Sequence, residues 1–308
     1  MRLTATALCT LLVLAAATLP SGSARAAYEA SAHEYCGTNI PPDQATGFVA
    51  LPEGDVFCPL LADPKAPHSY LAYVRGTSTS ALGTDLLSVA IGDRFGIGRW
   101  GGPRLGDGFQ FGLEGAVFAQ FDLNTESYDL INADYVFGLP MTYRYGAFSG
   151  RARVYHQSSH LGDEFVLRSR IPRENFSFEA AEVILSYDVG PARAYAGGEY
   201  LLHSIPNDME NWVLHGGLEL RQKNGSFRLG DFATARLVAA GDVKSVEDLD
   251  WELAVSGVAG FEFSRPRESE HAMRRWSVLG HYYDGPSPYG QFFHSEVTYY
   301  GVGLHFAF

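Results

Sequence analysis

The sequence predicts an all-β chain closing into a transmembrane antiparallel β-barrel of about twelve strands, within a range of roughly ten to fourteen, as bacterial barrels with even strand numbers do. Three observations point there. Apolar and polar residues alternate with period two from about His68 to the end, while helical periodicity is nearly absent. After the first residues no run approaches the ~18 consecutive apolar residues of a membrane helix, so a membrane would be crossed by strands. The final stretch, YGVGLHFAF, keeps Tyr300, Val302, Leu304, Phe306 and Phe308 on one parity to its last residue.

The opening MRLTATALCTLLVLAAATLPSGSARA places Arg2 before an apolar run from Ala5 to Leu19, then Ala24-Arg25-Ala26. That reads as a secretory signal peptide over 1–26, cleaved after Ala26. Cys9 lies inside the apolar run and not after it, which excludes a lipoprotein box. The formal net charge is −12. The leader carries Arg2 and Arg25 and no acid, so its loss makes the remainder more acidic and argues against nucleic acid as a partner. Export to an oxidising compartment makes Cys36 and Cys58 a candidate disulfide, with two reduced thiols as the alternative. Residues 27–67 do not alternate and hold Pro41, Pro42, Pro52, Pro59, Pro64 and Pro67. They read as a short irregular periplasmic or plug segment without a core of its own.

The barrel follows over 68–308. In FQFGLEGAVFAQF, Phe109, Phe111, Leu113, Gly115, Val117, Ala119 and Phe121 form a greasy parity, with Gln110, Glu114 and Gln120 between them. NWVLHGGLELR sets Trp212, Leu214, Leu218 and Leu220 against Asn211, His215, Glu219 and Arg221, and WELAVSGVAGFEF repeats the split. A soluble β-sandwich also alternates, but with shorter strands. Strands are expected at 69–77, 85–99, 108–121, 130–145, 147–158, 174–187, 192–203, 210–221, 227–240, 251–263, 274–284 and 295–308. Pro140 in GLPMTY marks a bulge or bend. Tight turns at 145–147, 188–191 and 222–226 fall on one side, while 159–173, 241–250 and 285–294 form longer polar loops on the other.

One polar cluster stands at the loop end of a strand, VYHQSSHLGDEF over 154–165. Upstream, Arg151, Arg153 and Tyr155 share the wet parity, which leaves His156 and Ser158 on the apolar one, facing lipid. Two residues apart on a strand, their Cα atoms are about 6.5–7 Å apart, close enough for a general base and a nucleophile. Arg151, Arg153 and Glu114 point into the lumen, where charges either line a pore or neutralise one another; a barrel this narrow favours the filled lumen. A weaker reading folds His156, His160 and Asp163 around a metal ion.

His156-Gln157-Ser158 resembles the His-x-Ser motif of outer-membrane phospholipase A barrels, where it lies with a following Asn on the outside wall. It is also similar to the motif of lipid A deacylase barrels, which a Glu completes. The resemblance implies Ser158 as nucleophile, His156 as base, and Asn175 or Glu179 as the group orienting the imidazole. Where the phospholipase has Asn-Gly to help build its oxyanion hole, this chain has Ser159 and His160, with Gly162 as a substitute. The calcium ligands of that family have no counterpart, so calcium stays an implication of the resemblance. Over the wider chain, LPEGDVFCPLLADPK (51–65), GDGFQFGLEGAVFAQFDL (106–123), LINADYVFGLP (130–140) and YHQSSHLGDEF (155–165) resemble the bacterial domain-of-unknown-function family number twelve hundred and seven, which implies no mechanism.

Two readings follow: a hydrolase of acyl esters in outer-leaflet lipid, or a non-catalytic narrow channel or envelope scaffold. Both place the protein in the bacterial outer membrane, inserted by the barrel assembly machinery through Phe308. Mass spectrometry of exported protein should find an amino terminus at Ala27; an intact Met1 would contradict the cleavage.

Overall fold

Side chains of one parity lie on one face, and this chain turns its polar parity inward. The computed structural model describes residue 40 and residues 46–76, 84–104, 106–171, 175–264 and 275–307. Its strands are β1 (Gly47–Ala50), β2 (Ser69–Gly76), β3 (Asp85–Gly101), β4 (Gly108–Asp122), β5 (Leu130–Tyr145), β6 (Phe148–Leu161) and β7 (Phe176–Val189). There follow β8 (Ala192–Ile205), β9 (Trp212–Arg221), β10 (Phe227–Leu229), β11 (Ala233–Val246), β12 (Leu253–Ser264), β13 (Arg275–Pro286) and β14 (Glu296–Ala307). The helix α1 spans Asp163–Ser169.

All fourteen strands form one sheet. β1 adds to the end of β3, and β10 to β11. The other twelve close a ring of antiparallel neighbours, with β14 pairing back onto β2. In β4 the inward Gln110, Glu114 and Gln120 are only 5%, 2% and 4% exposed, whereas outward Tyr135, Phe137 and Leu139 of β5 are about half exposed. Polar inside and apolar outside is the surface of a barrel standing in lipid.

The structure corrects the expected elements at three places. The stretch 227–240 is a hairpin, β10 and the start of β11, because Gly230 takes a left-handed φ of 54° in the connection. Residues 241–246 continue β11 and are not loop: Asp242 and Lys244 are lumenal positions of a strand. β6 runs on to Leu161 before α1 begins, which shortens the loop expected at 159–173. Pro140 shifts no register; the β4–β5 ladder skips Leu139 and Pro140 and resumes in step.

Side chains and an irregular segment occupy most of the lumen, leaving a cavity of about 140 Å³ beside Lys65, Arg153, Glu199 and Lys244. Residues 51–67 run through the lumen, and the wall reaches in to hold their backbone: Arg99 Nη1 donates to Glu53 O (2.9 Å), Arg144 Nε to Val56 O (2.7 Å) and Gln110 Nε2 to Gly54 O (3.0 Å). Phe57 is fully buried among Leu60, Ile184 and Tyr195, beneath the Arg193 guanidinium (4.6 Å). Lys65 Nζ meets Asp134 at 2.6 Å. Arg153 joins Glu114 (2.6 Å) and Glu182 (2.5 Å), and Arg151 shares Glu182 (2.8 Å). Cys58 is disulfide-bonded. Cys36, the leader and Phe308 lie outside the described residues.

Removing one partner of a buried pair strands the other charge, at about 3–5 kcal/mol. Arg153→Met should therefore lower the unfolding free energy of the refolded protein by that order, seen as a lower denaturant midpoint. A midpoint within experimental error of wild type would show that the lumen is hydrated and not packed. Phe57→Ala, which empties an aromatic site at about 3–5 kcal/mol, should destabilise as strongly.

Candidate active site

β6 reads FSGRARVYHQSSHL, and its burial alternates along the whole strand. Arg151, Arg153, Tyr155, Gln157 and Ser159 are buried inside, and Val154, His156, Ser158 and His160 stand on the outer wall. Strand register extends this face sideways. Asp93 of β3, Gly115 of β4, Phe137 of β5, His156, Glu179 of β7 and His203 of β8 are successive partners and form one row. The row toward the loop end holds Ile91, Val117, Tyr135, Ser158, Ser177 and Ile205.

In the first row three polar side chains are joined. Since a carboxylate only accepts, His156 Nδ1–H donates to Glu179 Oε1 at 2.7 Å and His203 Nδ1–H donates to Oε2 at 2.8 Å. Fixing the Nδ1 proton leaves Nε2 of His156 as the basic nitrogen, as in any carboxylate-oriented imidazole. The His156 and Glu179 side chains are 44% and 42% exposed, so the pair is open to the surroundings of the wall. The hydroxyl of Ser158, one row above on the same face, has no hydrogen-bond partner among the described residues. The structure thus joins His156 to Glu179 on the outer wall and sets Ser158 one row away, with no hydrogen bond between His156 and Ser158.

Other expected residues are elsewhere. Asn175 is exposed just ahead of β7, two pleat repeats or about 13 Å along the chain from Glu179, so Glu179 is the residue at the imidazole. Ser159 faces the lumen, where its hydroxyl donates to Asp134 and accepts from Gln291 N–H (3.1 Å). Gly162 N–H is spent on Ile131 O (2.9 Å), and the backbone passes so close to Leu130 O that no side chain fits at 162. Neither supplies a free oxyanion donor. His160 points outward against the Tyr135 ring (5.7 Å), and Asp163 opens α1. Among the described residues, the groups of three or more possible metal ligands lie in the lumen, around His215, and include neither. There Lys244 sits 3.2 Å from Glu199 and 3.9 Å from Asp63 and already supplies the positive charge. Beside Ser158 both Glu179 oxygens are taken by imidazoles, so this surface does not fit the oxygen cage calcium requires.

Sequence reasoning missed His203. It lies on β8, and only register brings it opposite Glu179. It also missed how the mouth above the site is closed. Phe165 of α1 packs edge-on to Phe292 (5.8 Å), and Gly290 N–H donates to Asp134 (3.1 Å). Arg168 ties α1 to Asp122 (2.8 Å) and Asp129 (3.1 Å). The Ser127 hydroxyl, with Arg168, holds the Asp129 carboxyl below its usual range. A depressed carboxylate contributes its stability above its ordinary pKa and loses it only as pH falls through the lowered value, so this tether survives mild acidification.

Closed wall, packed lumen and lipid-facing exterior define a transmembrane β-barrel protein. The chain belongs to the family described as protein of unknown function (DUF1207), whose family model matches residues 12–308. Among solved structures it is similar to the Salmonella typhi outer membrane phospholipase (OMPLA) dimer with bound calcium, at 16% identity over 79% of this chain and 93% of that one, TM-score 0.49. Escherichia coli outer membrane phospholipase A is similar at 14% identity over 79% and 92%, TM-score 0.47. LpxR from Salmonella typhimurium is similar at 10% identity over 78% and 100%, TM-score 0.38. A comparison with curated proteins gave no match.

The Glu179 contact is testable without turnover. Above the imidazole titration, nitrogen NMR of His156 in micelles should report the Nδ1–H tautomer, and Glu179→Ala should give a tautomer mixture. Identical spectra would show that the carboxylate does not orient the ring.

Proposed function

We propose that the protein is a serine acyl-ester hydrolase acting on lipid in the outer leaflet of the bacterial outer membrane, after export by its leader. The observation that carries this reading is the pairing of His156 Nδ1 with Glu179 on the lipid-facing wall, beside an unpartnered Ser158. A polar group at that position is costly in oil and calls for a task.

The chemistry follows from the roles these groups can fill. Ser158 Oγ attacks the ester carbonyl carbon while His156 Nε2 takes its proton, and Glu179 stabilises the imidazolium. The tetrahedral adduct collapses, the C–O bond to the alcohol breaks, and Nε2 returns the proton to the departing oxygen. Water activated by the same nitrogen then hydrolyses the acyl-serine, releasing fatty acid and restoring Ser158. By register the nearest outward hydroxyls to Ser158 are those of Tyr135 and Ser177, one on each neighbouring strand. They are the donors available to the oxyanion.

In mixed phospholipid–detergent micelles the purified protein should release fatty acid. Ser158→Ala and His156→Ala should abolish release, and Glu179→Ala should reduce kcat by about 10²–10⁴-fold, as for loss of a general-base component. Wild-type rates in Ser158→Ala would end the hydrolase reading. Ser177→Ala should cost on the order of 10²-fold in kcat if its hydroxyl faces the oxyanion, and nothing if it does not.

A further inference from the structure

The outer wall beside His156 is not smooth. Outward positions on β3 to β5 are large: Ile91 is 72% exposed, Phe137 54% and Tyr135 47%. Gly115, which lies between Asp93 and Phe137 in one row, beside the row of Ile91, Val117 and Tyr135, has no side chain. The missing side chain leaves a notch of about 390 Å³ lined by Ile91, Gly115, Val117, Tyr135, Phe137 and His156. The notch is shallow and open on its outer side, so an occupant would lie along the wall and not be enclosed by it. The lining is apolar except at one end, where the imidazole stands. Beyond Gly115 in the same row, outward Asp93, which accepts from Arg94 N–H (2.8 Å), ends the apolar surface. The notch is therefore a bounded slot and not a stripe around the barrel.

We infer that this notch is the acyl-chain subsite of the proposed hydrolase: one hydrocarbon chain of a membrane phospholipid lies over Gly115, between Tyr135 and Phe137, with its ester at Ser158. The inference rests on the hydrolase reading for its purpose but not for its existence. Three features select a lipid chain as occupant. The notch opens onto the lipid-facing wall and is continuous with it. Its lining offers a chain apolar contact without a charge to bury. Its one polar end is the catalytic base, where the ester must come. A chain lying there surrenders the freedom of a bulk lipid and holds its carbonyl near the nucleophile, which is how remote binding contributes to rate.

Gly115 allows a clean test. A Cβ built there meets nothing nearer than Val136 O at 3.7 Å, and its backbone needs no left-handed φ. Gly115→Leu therefore fills the notch without straining the strand. The probe is a phosphatidylcholine carrying a photoactivatable diazirine on its acyl chain, in vesicles containing the full-length Ser158→Ala protein. Cross-links are expected on Tyr135, Phe137 and Ile91, and Gly115→Leu in the same background should reduce them by about tenfold relative to sites on β9 to β12. In the catalytically intact protein, Gly115→Leu should lower the ratio of long-chain to short-chain ester hydrolysis by a similar factor. Unchanged cross-linking and an unchanged ratio would overturn the subsite while leaving the hydrolase standing. Loss of the hydrolase reading through an active Ser158→Ala variant would leave the cross-linking result to judge the slot by itself.

Discussion

The inward-facing charges of this barrel are buried together and must be met there by other charges or by polar atoms. The largest fully buried side chains begin with four arginines, Arg99, Arg144, Arg151 and Arg193. An isolated guanidinium or carboxylate there would cost several kcal/mol, and attraction in a poorly screened interior offsets it only where geometry is good. The solution is a mesh: Arg153 spans Glu114 and Glu182, and Arg144 reaches Asp188 (2.6 Å) and Val56 O at once. The irregular segment supplies backbone carbonyls as further acceptors, although some buried atoms, Glu114 Oε2 and Arg193 Nε among them, have no hydrogen-bond partner.

With polar groups confined inside, polar groups on the other face acquire meaning. Among large apolar neighbours, His156, Glu179 and His203 form a bonded line across three strands, with Ser158 one row away. Their geometry is set by strand register and not by a flexible loop. The lumen thus backs an exterior polar cluster whose parts sit on adjacent strands. The slot over Gly115 lies in the same two rows, so the proposed chain site and the polar cluster share one patch of wall.

Much of this was legible in the sequence because period two is a direct record of which face meets oil. The strand set, the inward Arg151, Arg153 and Glu114, and the outward His156 and Ser158 all follow from parity. Parity failed where polarity had two causes. Asp242 and Lys244 look like loop residues, yet are polar because they face the lumen. Gly230 turns the chain without disturbing the alternation on either side of it. Ser159 beside Ser158 looked like part of one site, although neighbouring residues on a strand face opposite ways. What register alone decides, the meeting of Glu179 with both His156 and His203, cannot be read from any local pattern, and neither can the path of residues 51–67, which have no alternation to constrain them.

The claim on which site and slot both depend is that His156 and Ser158 face lipid while their neighbours face a packed interior. Nitroxide labels placed one at a time at 154 to 158 in vesicles, with accessibility to oxygen and to a water-soluble nickel complex read by power saturation, test it directly. The account requires high oxygen accessibility at 154, 156 and 158, and low accessibility to both reagents at 155 and 157. The opposite phase, or a flat profile along the strand, would contradict it.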